Sequence, residues 1–93
     1  MSDIRAFPED ARSEAGQELL NVQYGGMPSD WKPMSSIGTG VFEIRIKCQS
    51  GAFRVIYITK IADAIYVLHA FQKKTQKTNQ RDIDLAKKRL AAI

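Results

Sequence analysis

The sequence predicts an α+β fold: an antiparallel meander of three strands, 41–48, 52–60 and 64–71, with helices near 8–24 and 79–92. Three patterns predict it. Residues 41–48 alternate, with Phe42, Ile44, Ile46 and Cys48 on one side and Glu43, Arg45 and Lys47 on the other. That is the period of a strand with one buried face and one wet, charged face. Two runs rich in β-branched and aromatic residues follow, 53–59 and 64–71, and the short gap between them fits a hairpin. Ala11, Ala15, Leu19 and Val22 recur at helical spacing and form one apolar face.

The remaining residues mark where each element starts and stops. Pro8 suits a first helical turn, and Glu9 and Asp10 are favourable near a helix N-terminus. Leu20 widens the apolar face, and Gly25-Gly26 stops the helix. Gly16 either weakens that helix or lets a neighbour approach closely. Asp3–Phe7 reads as the end of an earlier helical turn broken by Pro8. Residues 27–40 read as an irregular connection, because Pro28, Pro33, Gly38 and Gly40 interrupt any regular element. Trp31 and Ile37 are expected to anchor it to the core. Gln49-Ser50-Gly51 is the turn between the first two strands. In the last helix Asn79 (or Thr78) is the cap, with Asp82 three residues after Asn79 as in a capping box. Ile83, Ala86 and Leu90 make its apolar stripe, and Lys87, Lys88 and Arg89 suit its C-terminal dipole.

Ninety-three residues make one domain with a modest core. No apolar run is long enough to span a membrane, and Met1–Arg5 leads into no apolar stretch, so neither a membrane span nor a secretory signal is expected. Cys48 is the single cysteine; with one histidine it makes neither an internal disulfide nor a zinc site of the usual ligand count. A cytoplasmic protein without metal or other cofactor is the expectation. The net charge of +4 is unevenly spread: residues 1–40 carry −3, 41–60 carry +3 and 61–93 carry +4. The basic strands and C-terminal segment suit a polyanion such as nucleic acid, or are a solvated basic face.

The chemistry on offer lies on the strands or just past them: Arg45, Lys47, Arg54, Tyr57, Lys60, His69, Lys73, Lys74 and Lys77. Arginine and lysine stabilise charge on a phosphorus centre, and a His, Tyr or pKa-lowered Lys moves protons. RNA brings its own nucleophile, the 2′-hydroxyl. Arg54 stands in the middle strand among apolar neighbours, so it is either paired to an acid such as Glu43 or kept for a ligand. His69, alone at the end of an apolar strand, is more often a packed or capped histidine than a proton carrier. Gly38-Thr39-Gly40 lacks the spacing of a phosphate-binding loop.

The run FRVIYITKIADAIYVLHAFQKKTQKT, with RDIDLAKKRL after it and RAFPEDARSEAG, DWKPM and IGTGVFEIRI before it, closely resembles the phage-derived, HigB-like branch of the RelE/ParE toxin superfamily. The resemblance covers nearly the whole chain. It implies the toxin of a type II toxin–antitoxin module, with a cognate antitoxin of helix-turn-helix type as partner. It implies metal-independent cleavage of mRNA on the ribosome through 2′-hydroxyl attack. The fold it implies is an antiparallel sheet with two helices packed on one side. Arg54 matches the arginine expected to stabilise the scissile phosphate; His69, Lys73 and Lys74 fall in the segment expected at the catalytic centre. Arg45, Lys47, Lys60 and Lys77 would hold RNA. The C-terminal tyrosine of some RelE-like members has no match after Thr78. Family members also carry further residues before the segment matching Asp3–Pro8, contributing a first strand. A sheet without that strand exposes an edge, for which pairing with a second copy or an antitoxin segment is expected. Two alternatives stand beside the nuclease: a ParE-like toxin that binds gyrase without chemistry, and a truncated toxin that only binds its antitoxin.

Overall fold

The computed structural model describes residues 2–59, 65–73 and 79–93. In chain order the elements are α1 (Ser2–Arg5), α2 (Glu9–Gln23), β1 (Trp31–Pro33), β2 (Val41–Cys48), β3 (Gly51–Thr59), β4 (Ile65–Lys73) and α3 (Gln80–Ala91). Among the described residues the strands form one antiparallel sheet in the order β1-β2-β3-β4. The α+β class and the meander stand as predicted, with corrections.

The first concerns the connection 27–40. It contains a strand, β1, pairing Trp31 with Ile44, Lys32 with Glu43 and Pro33 with Phe42. Proline is tolerated there because β1 is an edge strand, where its missing N–H breaks no ladder. Backbone bonds on either side hold it in place, Arg45 N–H to Asp30 O and Met34 N–H to Val41 O, both at 2.8 Å. Ile37 is buried as expected. Trp31 is 38% exposed, its ring edge-on to Phe42 at 5.5 Å, so it covers the sheet edge from outside.

The second correction is that the helices do not share a side. Along β3, Phe53, Val55 and Tyr57 point one way and Ile56 and Ile58 the other. Both sets are apolar, so both faces need cover. On one face Phe7, Ala11 and Ala15 pack against Ile44, Ile46, Phe53, Val55, Tyr57 and Ala70. On the other, Ile83, Ala86 and Leu90 of α3 pack with Val41, Ile56, Ile58, Leu68, Met34 and Ile37.

The predicted helix limits hold closely. α2 ends in paired bonds from Gly25 N–H to Val22 O and Gly26 N–H to Asn21 O, with Gly25 at φ +90°. Leu19 and Val22 pack on the core, whereas Leu20 is 46% exposed and does not widen the buried face. Gly16 meets nothing within 4 Å of an added Cβ, so no close approach explains it. Asn79 caps α3 through its side chain, which accepts from Asp82 N–H at 3.1 Å.

β4 carries a bulge: Ile56 pairs with His69 but Tyr57 with Val67. The extra residue, Leu68, lets two successive side chains, Leu68 and His69, reach the α3 side. α3 fastens to this irregularity at both ends. Asp82 Oδ1 lies 2.8 Å from His69 Nε2, and Arg89 Nη1 donates to Leu68 O at 2.9 Å. No helix of the described residues is long and apolar enough to cross a membrane.

Candidate functional site

The charged residues of the strands meet on the α3 side of the sheet. Register places them in rows, since cross-strand partners share a face. Lys32, Glu43, Ile56 and His69 form one row; Arg45, Arg54 and Phe71 the next; Lys47, Ala52 and Lys73 the last. Arg45 and Arg54 are direct partners. The small side chain of Ala52 separates Lys47 from Lys73, whose strands lie about 10 Å apart.

Glu43 lies beneath this array and corrects the expectation of a wet face on 41–48: it is 0% exposed. Its Oε1 is 3.5 Å from Arg54 Nε, 3.9 Å from Arg45 Nε and 4.0 Å from Lys32 Nζ. The acid partner read from the sequence for Arg54 is thus present. Arg54 Nη1 also donates to Phe53 O at 3.2 Å, and Arg45 Nη1 is 3.8 Å from Asp30 Oδ1. The Arg54 side chain is 10% exposed and that of Arg45 37%, so Arg45 is the more open of the two.

Lys73 is half-buried on the end of β4, which runs past residue 71 to include it. Burial, then the neighbouring Arg54, holds its amine below the usual lysine range, with Glu43 pulling the other way. Burial likewise lowers Arg54, opposed by Glu43; an arginine nevertheless stays protonated.

The other candidates are placed as follows. His69 is buried, its ring stacked on Phe71 with centroids 4.8 Å apart and its Nε2 on Asp82, so it joins the sheet to α3. Tyr57 leaves the set: it is 1% exposed in the core on the α2 side, where burial raises its hydroxyl pKa. Lys47 is exposed on the last row. Lys60, Lys74 and Lys77 lie outside the described residues. Sequence reading missed Lys32, Asp30 and Asp82 as neighbours of the basic residues. The first two escape it because residues 27–40 read as an irregular connection; the signal is an edge-tolerant proline ending the short extended run Trp31-Lys32-Pro33.

Among the described residues, no three His, Cys, Asp or Glu side chains stand together as a metal-binding group. A hollow of about 540 Å³ lies elsewhere, lined by Glu9, Asp10, Ser13, Gln49 and Ser50. Its two carboxylates oppose anion binding. The basic rows offer the reverse: guanidinium and ammonium donors gathered on one surface, the arrangement that holds a phosphate and stabilises charge developing on it.

A family model described as Phage derived protein Gp49-like (DUF891) matches residues 2–91. No curated protein matches the chain.

Proposed function

The chain belongs to the phage-derived Gp49-like family, a family of the RelE/toxin-like group, and on that premise we propose that it is the toxin of a toxin–antitoxin pair and cuts mRNA on its basic sheet face. The substrate is mRNA on the ribosome, and the partner is an antitoxin of helix-turn-helix type. One observation carries the reading: Arg45 and Arg54 stand side by side over Glu43, next to a lysine whose amine is held below its ordinary range.

The chemistry fits those groups. The RNA 2′-hydroxyl gives its proton to solvent water as it attacks the adjacent phosphorus, a P–O2′ bond forms, and the P–O5′ bond breaks. The products are a 2′,3′-cyclic phosphate and a 5′-hydroxyl. Arg45 and Arg54 stabilise the extra negative charge on the phosphorane oxygens. Lys73, protonated, donates to the departing 5′-oxygen. Lys47 holds the neighbouring backbone phosphate, and His69 supports the site by keeping α3 against β4.

The test is 5′-end mapping of a reporter mRNA in a translating extract, with wild type, Arg45→Ala and Lys73→Arg side by side. Arg45 is preferred to Arg54 for truncation because it is the more exposed and its loss disturbs packing less. Wild type should cut within codons. Arg45→Ala should lower the rate by on the order of 10²-fold, the loss typical of one charge-stabilising donor. Lys73→Arg should keep RNA binding and lose about 10²-fold in rate, since arginine preserves charge but not proton transfer. No cuts from folded wild-type protein would overturn the reading, and a supercoiling assay would then examine gyrase binding.

A further inference from the structure

We infer that Glu43 is a positioning residue: its buried carboxylate pairs with both Arg45 and Arg54 through one oxygen and keeps the two guanidiniums together for one phosphate. The inference rests on the RNA-cutting reading above.

Three features carry it. Glu43 is fully buried on a strand face that carries the core residue Val41 on one side of it and Arg45 and Lys47 on the other. Taking a carboxylate out of water is costly, and an apolar residue of similar volume would usually serve stability as well or better. A merely stabilising role therefore leaves the charge unexplained. Next, Arg45 and Arg54 are direct cross-strand partners. Like charges so placed repel, and they need a common counter-ion to stay together. Glu43 Oε1, at 3.5 and 3.9 Å from their two Nε atoms, is that counter-ion. Finally, each guanidinium has a second contact: Arg54 Nη1 donates to Phe53 O at 3.2 Å, and Arg45 Nη1 is 3.8 Å from Asp30 Oδ1. The Nε contacts to Glu43 are ion pairs longer than a hydrogen bond, so the carboxylate fixes where the two guanidiniums gather, and the five N–H donors of each exceed these contacts in number. The remainder are available to an anion, on guanidiniums gathered before it arrives. Lys32, 4.0 Å from the same oxygen, adds a third cation to the carboxylate.

The experiment compares wild type with Glu43→Gln, which keeps the shape and removes the charge, and with Glu43→Asp, which keeps the charge and shortens the reach. Affinity is read with a single-stranded RNA made uncleavable by 2′-O-methyl groups. Rate is read by single-turnover cutting of the unmodified strand. Nitrogen-15 NMR of the arginine Nε–H groups reports orientation. Glu43→Gln should bind the uncleavable strand equally well or up to about threefold more tightly, because one negative charge has left a basic face. Its cutting rate should fall by about 30- to 100-fold, the scale of a small misplacement of reacting groups. In wild type both Nε–H signals should move when inorganic phosphate is added, and in Glu43→Gln that joint response should vanish.

Opposed changes in binding and rate are what a purely structural carboxylate would not give. Wild-type rate in folded Glu43→Gln overturns the inference. So do binding and rate that fall in parallel with the folded fraction. If Glu43→Gln does not fold, Glu43→Asp decides: a loss of about tenfold in rate with affinity retained supports the clamp, and an unchanged rate overturns it. If wild type cuts no RNA, the cutting reading falls, and the phosphate response of the two arginines decides the clamp alone.

Discussion

Phe53, Val55 and Tyr57 face α2, while Arg54, Ile56 and Ile58, interleaved with them, lie on the side of α3. The α2 side is closed mainly by apolar contact, and its helix comes near because Ala11 and Ala15, both 0% exposed, present no bulk to the strands. The α3 side is divided. Its apolar end takes Ile83, Ala86 and Leu90; its other rows carry Glu43, Arg45, Arg54, Lys47 and Lys73. The same strands thus supply a core and a charged surface. The difference teaches that the first face secures the sheet so that the second can hold an array which, by itself, opposes folding: two arginines side by side and a carboxylate out of water.

That division is open to attack from either face. The largest effect is expected on the closed side. Phe53 is 1% exposed and its ring centroid lies 4.7 Å from that of Phe7. Phe53→Ala should cost about 3–5 kcal/mol in urea unfolding. A loss below about 1 kcal/mol would mean that this face is not where stability resides. Next comes the attachment of α3. Asp82→Ala removes a hydrogen-bond partner of His69 and should cost about 1–2 kcal/mol. Hydrogen exchange should quicken in α3 before it does in β2 and β3. Uniform quickening would show that α3 is not separately fastened.

The smallest effect concerns pH. Asp10 receives two hydrogen bonds from Ser50, N–H at 3.1 Å and Oγ at 2.6 Å, which tie α2 to the β2–β3 hairpin. Those bonds, the Oγ one first, hold its pKa below the ordinary 3.8. A carboxylate with a depressed folded pKa contributes stability above its unfolded value, and that contribution is lost as pH falls through the folded one. The advantage of wild type over Asp10→Asn should therefore be complete at pH 7 and shrink below 3.8. An advantage independent of pH would sever the link between that ionisation and the tie.

Much of this was legible along the chain, and the reasons are local. Helix limits follow from Pro8, Gly25-Gly26 and the Asn79 cap, all of which act within a turn of themselves. The strands follow from alternation and β-branching. That Arg54 needs either an acid or a ligand follows from the cost of an unpaired charge among apolar residues; the structure supplies Glu43. β1 was hidden because three residues ending in proline carry no period; backbone pairing to β2 makes them a strand. Leu20 was misjudged since a helix with apolar residues on neighbouring positions does not declare which of them its partner will meet.

The sequence by itself determined the elements other than β1, their order, and the reserve of cations on residues 41–59 and 65–73. These depend on backbone preferences and on charges that neighbours in the chain already display. Only the tertiary structure decided that the helices lie on opposite faces, that a bulge turns Leu68 and His69 together toward α3, and that Lys32 comes over Glu43. The physical reason is that each depends on residues far apart in the chain. Whether a charged side chain at an alternating strand position meets water or a buried partner is set by what the sheet's other strands and helices place above it.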